Sequence, residues 1–192
     1  TVATDSHRMS QKVITLEKNG DNFDVVIPSR SLREFTSVFS DDIETVEVFF
    51  ANNQILFRSE HISFYTRLLE GNYPDTDRLI PTEFNTEATF NVANLRFAME
   101  RARLLSNATQ NGTVKLEFKN GVVSSHVHSP EVGRVNEEID TSAVSGEDLS
   151  ISFNPTYLIE ALKAIDSEQV VIRFISSVRP FTLVPEGNEQ GF

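Results

Sequence analysis

The sequence predicts an α+β fold made of repeated units, each a helix followed by antiparallel strands. Two observations carry that expectation: similar segments recur at equal spacing, and hairpin signals stand between them. The segments are Ile27-Pro28-Ser29-Arg30-Ser31-Leu32, Phe90-Asn91-Val92-Ala93-Asn94-Leu95 and Phe153-Asn154-Pro155-Thr156-Tyr157-Leu158. Each joins an apolar residue, a polar or proline start signal, and a leucine five places after the apolar residue. They begin at residues 27, 90 and 153, two successive steps of 63. A fixed period of this kind marks a repeated supersecondary unit.

Each segment reads as the opening of a helix. Ser29, Asn91 and Asn154 are N-cap candidates, because their side-chain oxygens can accept the free N–H groups of a first turn. Pro28 and Pro155 suit a helix start, where a missing N–H costs little. In the second helix Leu95, Ala98, Ala102 and Leu105 recur at helical spacing and are expected to face a sheet. Leu158, Leu162 and Ile165 do the same in the third.

Strands are expected after each helix. Val46 to Phe50 and Gln54 to Arg58 flank the turn-like Ala51-Asn52-Asn53. Val114 to Phe118 alternates apolar and polar residues and runs on to Asn120-Gly121, a strong two-residue hairpin signal, with Val122 to Val127 returning. Val170 to Phe174 and Pro180 to Val184 repeat the theme. Hairpins of this sort argue for α+β rather than a parallel α/β sheet. The polar, turn-rich run from Gly71 to Asp77 suggests a boundary. Residues 1–76 then form the latter part of one domain, and 77–192 a second domain holding two helix units. That second domain is expected to lack its last strand, since the chain stops at Gly191-Phe192 soon after the turn-like Pro185-Glu186-Gly187.

With 192 residues, 39% of them hydrophobic and 23% charged, the chain has the composition of an ordinary soluble globular protein. There is no Cys, which removes disulfides, thiol catalysis and Cys-based zinc sites, and nothing argues for secretion. The longest apolar stretches are only a few residues, too short for a membrane-spanning helix. The chain does not begin with Met, and its first ten residues read as an interior segment without a signal peptide. The expectation is a cytoplasmic fragment that lacks its true start, with its true end also in question.

The formal net charge is −11, which by itself argues against binding a polyanion. Where the charges sit matters more than their sum. The helical segments carry Arg30 and Arg33; Arg96, Arg101 and Arg103; and Lys163. Acidic residues crowd the connections: Asp41, Asp42 and Glu44; Asp75 and Asp77; Glu137, Glu138 and Asp140; Glu186 and Glu189. An acidic molecule can still turn a basic helical face toward DNA; a solvated face of mixed charge is the plainer alternative.

Candidate chemistry is sparse. Asp5-Ser6-His7 holds three residue types used by hydrolases. Neighbours in a chain point different ways, however, so the run reads as a turn with a structural histidine. His126 and His128 could share one strand face as metal ligands, but no third ligand is evident and a half-exposed hairpin strand accounts for them. Phosphate-cradling glycine loops, nucleophile elbows and zinc-binding His-Glu-x-x-His runs are missing from the sequence. No metal or other cofactor is implied.

Thr1-Val2-Ala3-Thr4-Asp5-Ser6-His7-Arg8-Met9-Ser10 resembles the T-x-A-T-D-G-H-R-L segment of bacterial DNA sliding clamps, the beta subunits of DNA polymerase III. The family commonly has Gly where this chain has Ser6. Further similarities follow in order: Val26-Ile27-Pro28, Glu70 to Asp75 with Pro81, Leu104-Leu105-Ser106-Asn107, and Ile151 to Asn154 with Tyr157-Leu158. The resemblance implies the DNA clamp fold, with helices on the inner face of a ring and sheets outside. It also implies a non-catalytic processivity factor that encircles duplex DNA as a head-to-tail homodimer. Its partners would be the polymerase III catalytic subunit, the clamp loader and other proteins carrying a short hydrophobic clamp-binding motif.

Three sets of residues follow from the resemblance. A peptide pocket would take Thr4, Ser6, His7, Arg8, Met9, Pro74, Arg78, Leu79, Val178 and Pro180, with Met9, Leu79, Val178 and Pro180 as its apolar floor. Arg8 and Arg78 would meet polar or terminal groups of the peptide. Arg30, Arg33, Arg96, Arg101 and Arg103 would face DNA. Leu104, Leu105, Glu137 and Glu138 would meet the next subunit. Plain core packing is the alternative for Met9, Leu79 and Leu104. Two other readings of the whole chain stay open: a repeat-built interaction scaffold that does not act on DNA, and a hydrolase using Asp5 and His7.

Overall fold

The computed structural model describes residues 1–15, 22–39, 42–106, 112–129 and 133–187. Asp41, Asn107, Glu189, Gly191 and Phe192, used in the sequence reading, lie outside these. The described elements are, in order, β1 (Val2–Thr4), β2 (Met9–Gln11), α1 (Ser29–Val38), β3 (Glu47–Ala51), β4 (Gln54–Arg58), β5 (Ser63–Arg67), β6 (Thr86–Asn91), α2 (Val92–Ser106), β7 (Val114–Lys119), β8 (Val122–Ser129), β9 (Gly133–Ile139), β10 (Ala143–Gly146), β11 (Leu149–Phe153), α3 (Pro155–Lys163), β12 (Gln169–Phe174) and β13 (Thr182–Pro185). A short 3-10 turn covers Asp77–Leu79. All named strand pairs are antiparallel. The α+β expectation holds. None of the described helices is long and apolar enough to cross a membrane.

The helices begin at residues 29, 92 and 155, which reproduces the 63-residue step of the sequence. Two of the three predicted caps form. Asn91 Oδ1 accepts the N–H of Asn94 at 3.0 Å, and Asn154 Oδ1 accepts that of Thr156 at 2.9 Å. Ser29 does not cap. It is the first helical residue, and Pro28 holds the cap position without a side-chain bond. Phe90, Asn91 and Phe153, read as helix starts, are the last residues of β6 and β11. Apolar side chains are common to strands and helix entries, so the repeat marks a strand-to-helix junction rather than a helix alone. Strand ends also shift: Val46 precedes β3, Ala51 belongs to it, and Pro180 lies before β13.

The chain forms two compact units, Leu16–Asp75 and Thr1–Thr15 with Thr76–Phe192. In the larger unit β1 and β2 form a two-stranded sheet, and the other strands make two four-stranded sheets, ordered β10-β6-β12-β13 and β11-β7-β8-β9. The repeats exchange strands. β6 precedes α2 but pairs with β12, which follows α3, with Phe90 opposite Val170. β11 precedes α3 but pairs with β7, which follows α2, with Ile151 opposite Leu116. Leu95, Ala98, Met99 and Ala102 of α2 and Leu158, Ile159 and Leu162 of α3 enter one buried cluster with Leu116, Phe118, Ile172 and Phe174 of the sheets. Leu105, expected in the stripe, is only partly buried at its edge.

The smaller unit has one helix and one sheet, ordered β3-β4-β5. Among the described residues its buried ones are Phe39, Ile55 and Phe57, against twenty-one in the larger unit's cluster. Phe35 joins them by ring contacts, with centroids 4.5 Å from Phe39 and 4.6 Å from Phe57. All five residues of β3 are exposed.

Two glycines have different reasons to be glycine. Asn120-Gly121 makes the predicted two-residue turn with φ of 52° and 78°, a left-handed pair that follows the strand twist. Gly146 was not singled out by the sequence reading. It has φ of 98°, and a Cβ there would lie 2.0 Å from the Asn85 backbone oxygen. Gly146→Ala should therefore cost well over the roughly 1 kcal/mol of an ordinary left-handed alanine, and clearly more than Gly121→Ala, where a Cβ meets nothing within 4 Å. Urea unfolding of the two variants checks this; equal losses would rule out the steric account.

Candidate functional site

The most organised polar site lies at the β1–β2 turn. Thr4 faces Met9 across the hairpin. Asp5 ties the turn together: its Oδ1 accepts the N–H groups of His7 at 3.2 Å and Arg8 at 3.1 Å, and its own N–H donates to Arg8 O at 3.3 Å. Thr4 Oγ1 donates to the same carbonyl at 2.8 Å. Ser6 sits at φ of 73°, the left-handed region that side chains resist. Glycine would take this conformation without that cost.

The turn leans on α3. The Arg8 guanidinium donates through Nε to Asp5 Oδ2 at 2.8 Å and through Nη1 to Glu160 Oε2. Its Cζ lies 5.0 Å from the centre of the Tyr157 ring, and the His7 ring lies 5.7 Å from the same ring. The guanidinium, together with the His7 N–H, holds the Asp5 carboxyl below its ordinary range. Glu160, then Asp5, raises the affinity of Arg8 for its proton. Sequence reading missed Tyr157 and Glu160 as neighbours of the turn. The only trace was their place at the start of the third repeat.

This geometry disfavours the hydrolase. His7 Nδ1 faces the backbone oxygen of Asp5 at 3.3 Å rather than its carboxylate, which is committed to Arg8 and to backbone N–H groups. An orienting carboxylate for a catalytic imidazole has to do the opposite. His126 is similarly occupied on β8, with Nε2 2.9 Å from Ser124 Oγ and Nδ1 2.8 Å from Asn136 Oδ1. No cluster of three metal-ligating side chains occurs among the described residues.

The remaining pocket candidates are spread over separate elements. Arg78 and Leu79 lie on the 3-10 turn, Val178 and Pro180 between β12 and β13, and Pro74 in the smaller unit. Leu79 is 62% and Val178 87% exposed, so core packing does not account for Leu79; Met9 is half-buried.

The basic candidates differ in freedom. Arg30 is 85% exposed and, among the described residues, pairs only with Glu34, at 3.0 Å on the same helix. Arg33 is exposed beside it. Arg96 lies 4.0 Å from Glu100, beyond hydrogen-bond reach, with its Cζ 5.3 Å from the Phe97 ring centre. Arg101 is turned to β9, where Nε and Nη2 both donate to the Glu137 carboxylate. Arg103 is half-buried in the last turn of α2. Arg101 and Glu137 line a shallow depression with Asn94, Phe97, Glu138 and Asp140. Leu105 is partly buried, but Leu104 is 72% exposed, which removes the core alternative for it.

Comparison with known proteins covers almost the whole chain. Residues 1–75 match the family model described as DNA polymerase III beta subunit, central domain, and residues 77–191 match its C-terminal domain. The chain is 80% identical over 192 residues to the beta sliding clamp of Streptococcus pneumoniae serotype 4, covering all of this chain and 51% of that protein. It is 53% identical to the Lactococcus lactis beta sliding clamp, again over 51% of that protein. Among solved structures, the Streptococcus pneumoniae polymerase III beta chain superimposes with a TM-score of 0.96 at 80% identity, covering 100% of this chain and 51% of that one. The Bacillus subtilis sliding clamp does so with 0.92 at 37% identity, covering 98% and 50%. The chain thus spans about half the length of the relatives it matches.

The left-handed Ser6 gives a direct check on the turn. Ser6→Gly should stabilise the larger unit by up to about 1 kcal/mol, and Ser6→Val should destabilise it by a similar amount or more. Thermal unfolding of the two variants measures both; a stabilising valine would contradict the φ of 73°.

Proposed function

Because the chain belongs to the family of DNA polymerase III beta subunits, we propose that it is part of a sliding clamp that encircles duplex DNA and tethers the replicative polymerase. The observation that carries this reading is the ordered match of the central and C-terminal domain models along one chain, joined to 80% identity with a beta sliding clamp. On this reading the protein is a cytoplasmic processivity factor in DNA replication. It does no chemistry itself and needs no cofactor. We propose a domain boundary at 76/77, a reading that the family matches at 1–75 and 77–191 support.

Clamp function asks for loose contacts to DNA. Phosphate-directed pairs with Arg or Lys carry no sequence information and can be exchanged as the ring moves, whereas base-edge bonds would hold it in place. Arg30 and Arg33, exposed on α1, suit such contacts, and the Arg30–Glu34 pair is the exposed i,i+4 kind worth only about 0.3–0.5 kcal/mol. Arg96 and Arg103, on α2, are proposed to make contacts of the same kind. Arg101 pairs with Glu137 on β9, and we propose that this pair lies at an edge of the subunit. That edge would bring exposed Leu104, with Leu105, Glu137 and Glu138, against the next subunit of a head-to-tail homodimer.

Partners are proposed to dock by a short hydrophobic peptide. The polymerase catalytic subunit, the clamp loader and other motif-bearing proteins would share one site built, within the larger unit, from Thr4, Ser6, His7, Arg8, Met9, Arg78, Leu79, Val178 and Pro180. Exposed apolar side chains such as Leu79 and Val178 offer the contact area, and Met9 adapts to varied partners.

Two measurements test this. A Gln-Leu-x-Leu-Phe-type peptide should bind the full-length protein saturably, and Met9→Lys should weaken it at least tenfold in a titration by fluorescence anisotropy; absence of saturable binding would sink the pocket. Arg30→Glu should shorten retention of the full-length ring on circular DNA and flatten its salt dependence. An unchanged half-life would remove Arg30 from the lining.

A further inference from the structure

We infer that Glu160 is a positioning residue of the proposed peptide site, acting through Arg8 and not by touching the peptide itself; the inference rests on the pocket reading above. A free arginine on a hairpin turn samples many rotamers, and binding through it carries the cost of ordering it. Here the ordering is done in advance. Asp5 takes the Nε–H from within the turn, and Glu160 takes one Nη1–H from α3, 152 residues away in sequence. The Tyr157 ring lies against the guanidinium, with Cζ 5.0 Å from its centre, and its centre is 5.7 Å from that of the His7 ring.

A guanidinium has five N–H donors. Two are committed to the carboxylates. The second Nη1–H and both Nη2–H groups carry no partner among the described residues, and the side chain remains 41% exposed. Two carboxylates and a ring thus fix the plane of the guanidinium and leave one of its edges open. The two negative charges outweigh the single positive one, so the open edge suits the neutral carbonyl and amide oxygens of a peptide backbone better than a carboxylate. Glu160 itself is half-exposed at the side-chain level, so replacing it creates no cavity.

The test is a double-mutant cycle in the full-length protein, read by titration with an acetylated and amidated Gln-Leu-Ser-Leu-Phe peptide. Glu160→Gln should weaken binding about threefold to tenfold, the range expected when a charge-assisted bond that orients a ligand-facing group is lost. Arg8→Ala should weaken it at least as much, and adding Glu160→Gln to Arg8→Ala should cost nothing further. The Arg8 Nε–H resonance, identified by its loss in Arg8→Ala, should broaden or shift in Glu160→Gln whether or not peptide is present. Binding by Glu160→Gln equal to the parent, or losses that multiply in the double variant, would overturn the role of Glu160 and leave the pocket standing. No saturable binding by the parent protein would overturn both.

Discussion

Neither repeat of the larger unit closes its own sheet. β7 to β9 follow α2 but take β11, from the next repeat, as their fourth strand; β12 and β13 follow α3 but take β6 from the previous one. Every other feature of the unit depends on that exchange. A single repeat would leave a helix with an apolar stripe and a sheet with an open edge, both costly in water. With two repeats, Leu95 and Met99 of α2 and Leu158 and Leu162 of α3 share a core with Phe118 and Phe174, and β6 and β11 each pair with a strand of the other repeat. The pairing is non-local, so the chain must close long loops before the exchange rewards it.

The same constraint sets the rotation of α3. Its buried side is Leu158, Ile159 and Leu162, fixed by the two sheets. One turn of helix has 3.6 residues, so burying these positions directs Tyr157 and Glu160 outward and places them three apart on neighbouring turns. The β1–β2 turn meets α3 along this outward strip, through Arg8 and His7. Core packing thus determines the polar site indirectly: the sheets orient the helix, and the helix orients the arginine.

Much of the scaffold was legible in the sequence, and the reasons are local. The 63-residue step, the caps at Asn91 and Asn154 and the Asn120-Gly121 turn are all encoded within a few residues. What was missed is long-range or ambiguous. β6 and β11 were hidden because their last residues, Phe90, Asn91 and Phe153, look equally like a helix entry. β9, with most of its residues exposed, has no apolar alternation to announce it. The pairing of Arg8 with Glu160 joins residues 152 apart, which no local pattern reports. Of the site, the turn itself was readable from Thr4 to Met9, while its partners on α3 were not.

The charges follow one rule that the net value conceals. Arg8, Arg30, Arg58, Arg101 and Arg173 each hold a carboxylate partner, from Asp5 and Glu160, Glu34, Glu47, Glu137 and Glu87 respectively. An acidic chain of this kind does not present a uniform field that repels phosphate; it presents arginines whose company decides their use. Where the partner is an exposed neighbour on the same helix, as for Arg30, the pair is weak enough for a phosphate to displace it. Where the partner lies on another element, as for Arg8 on α3 and Arg101 on β9, the ion pair also fixes the relative placement of two parts of the fold, and exchanging it would loosen both. Local pairs can thus be exchanged at little cost, whereas distant pairs hold two elements of the fold in one arrangement.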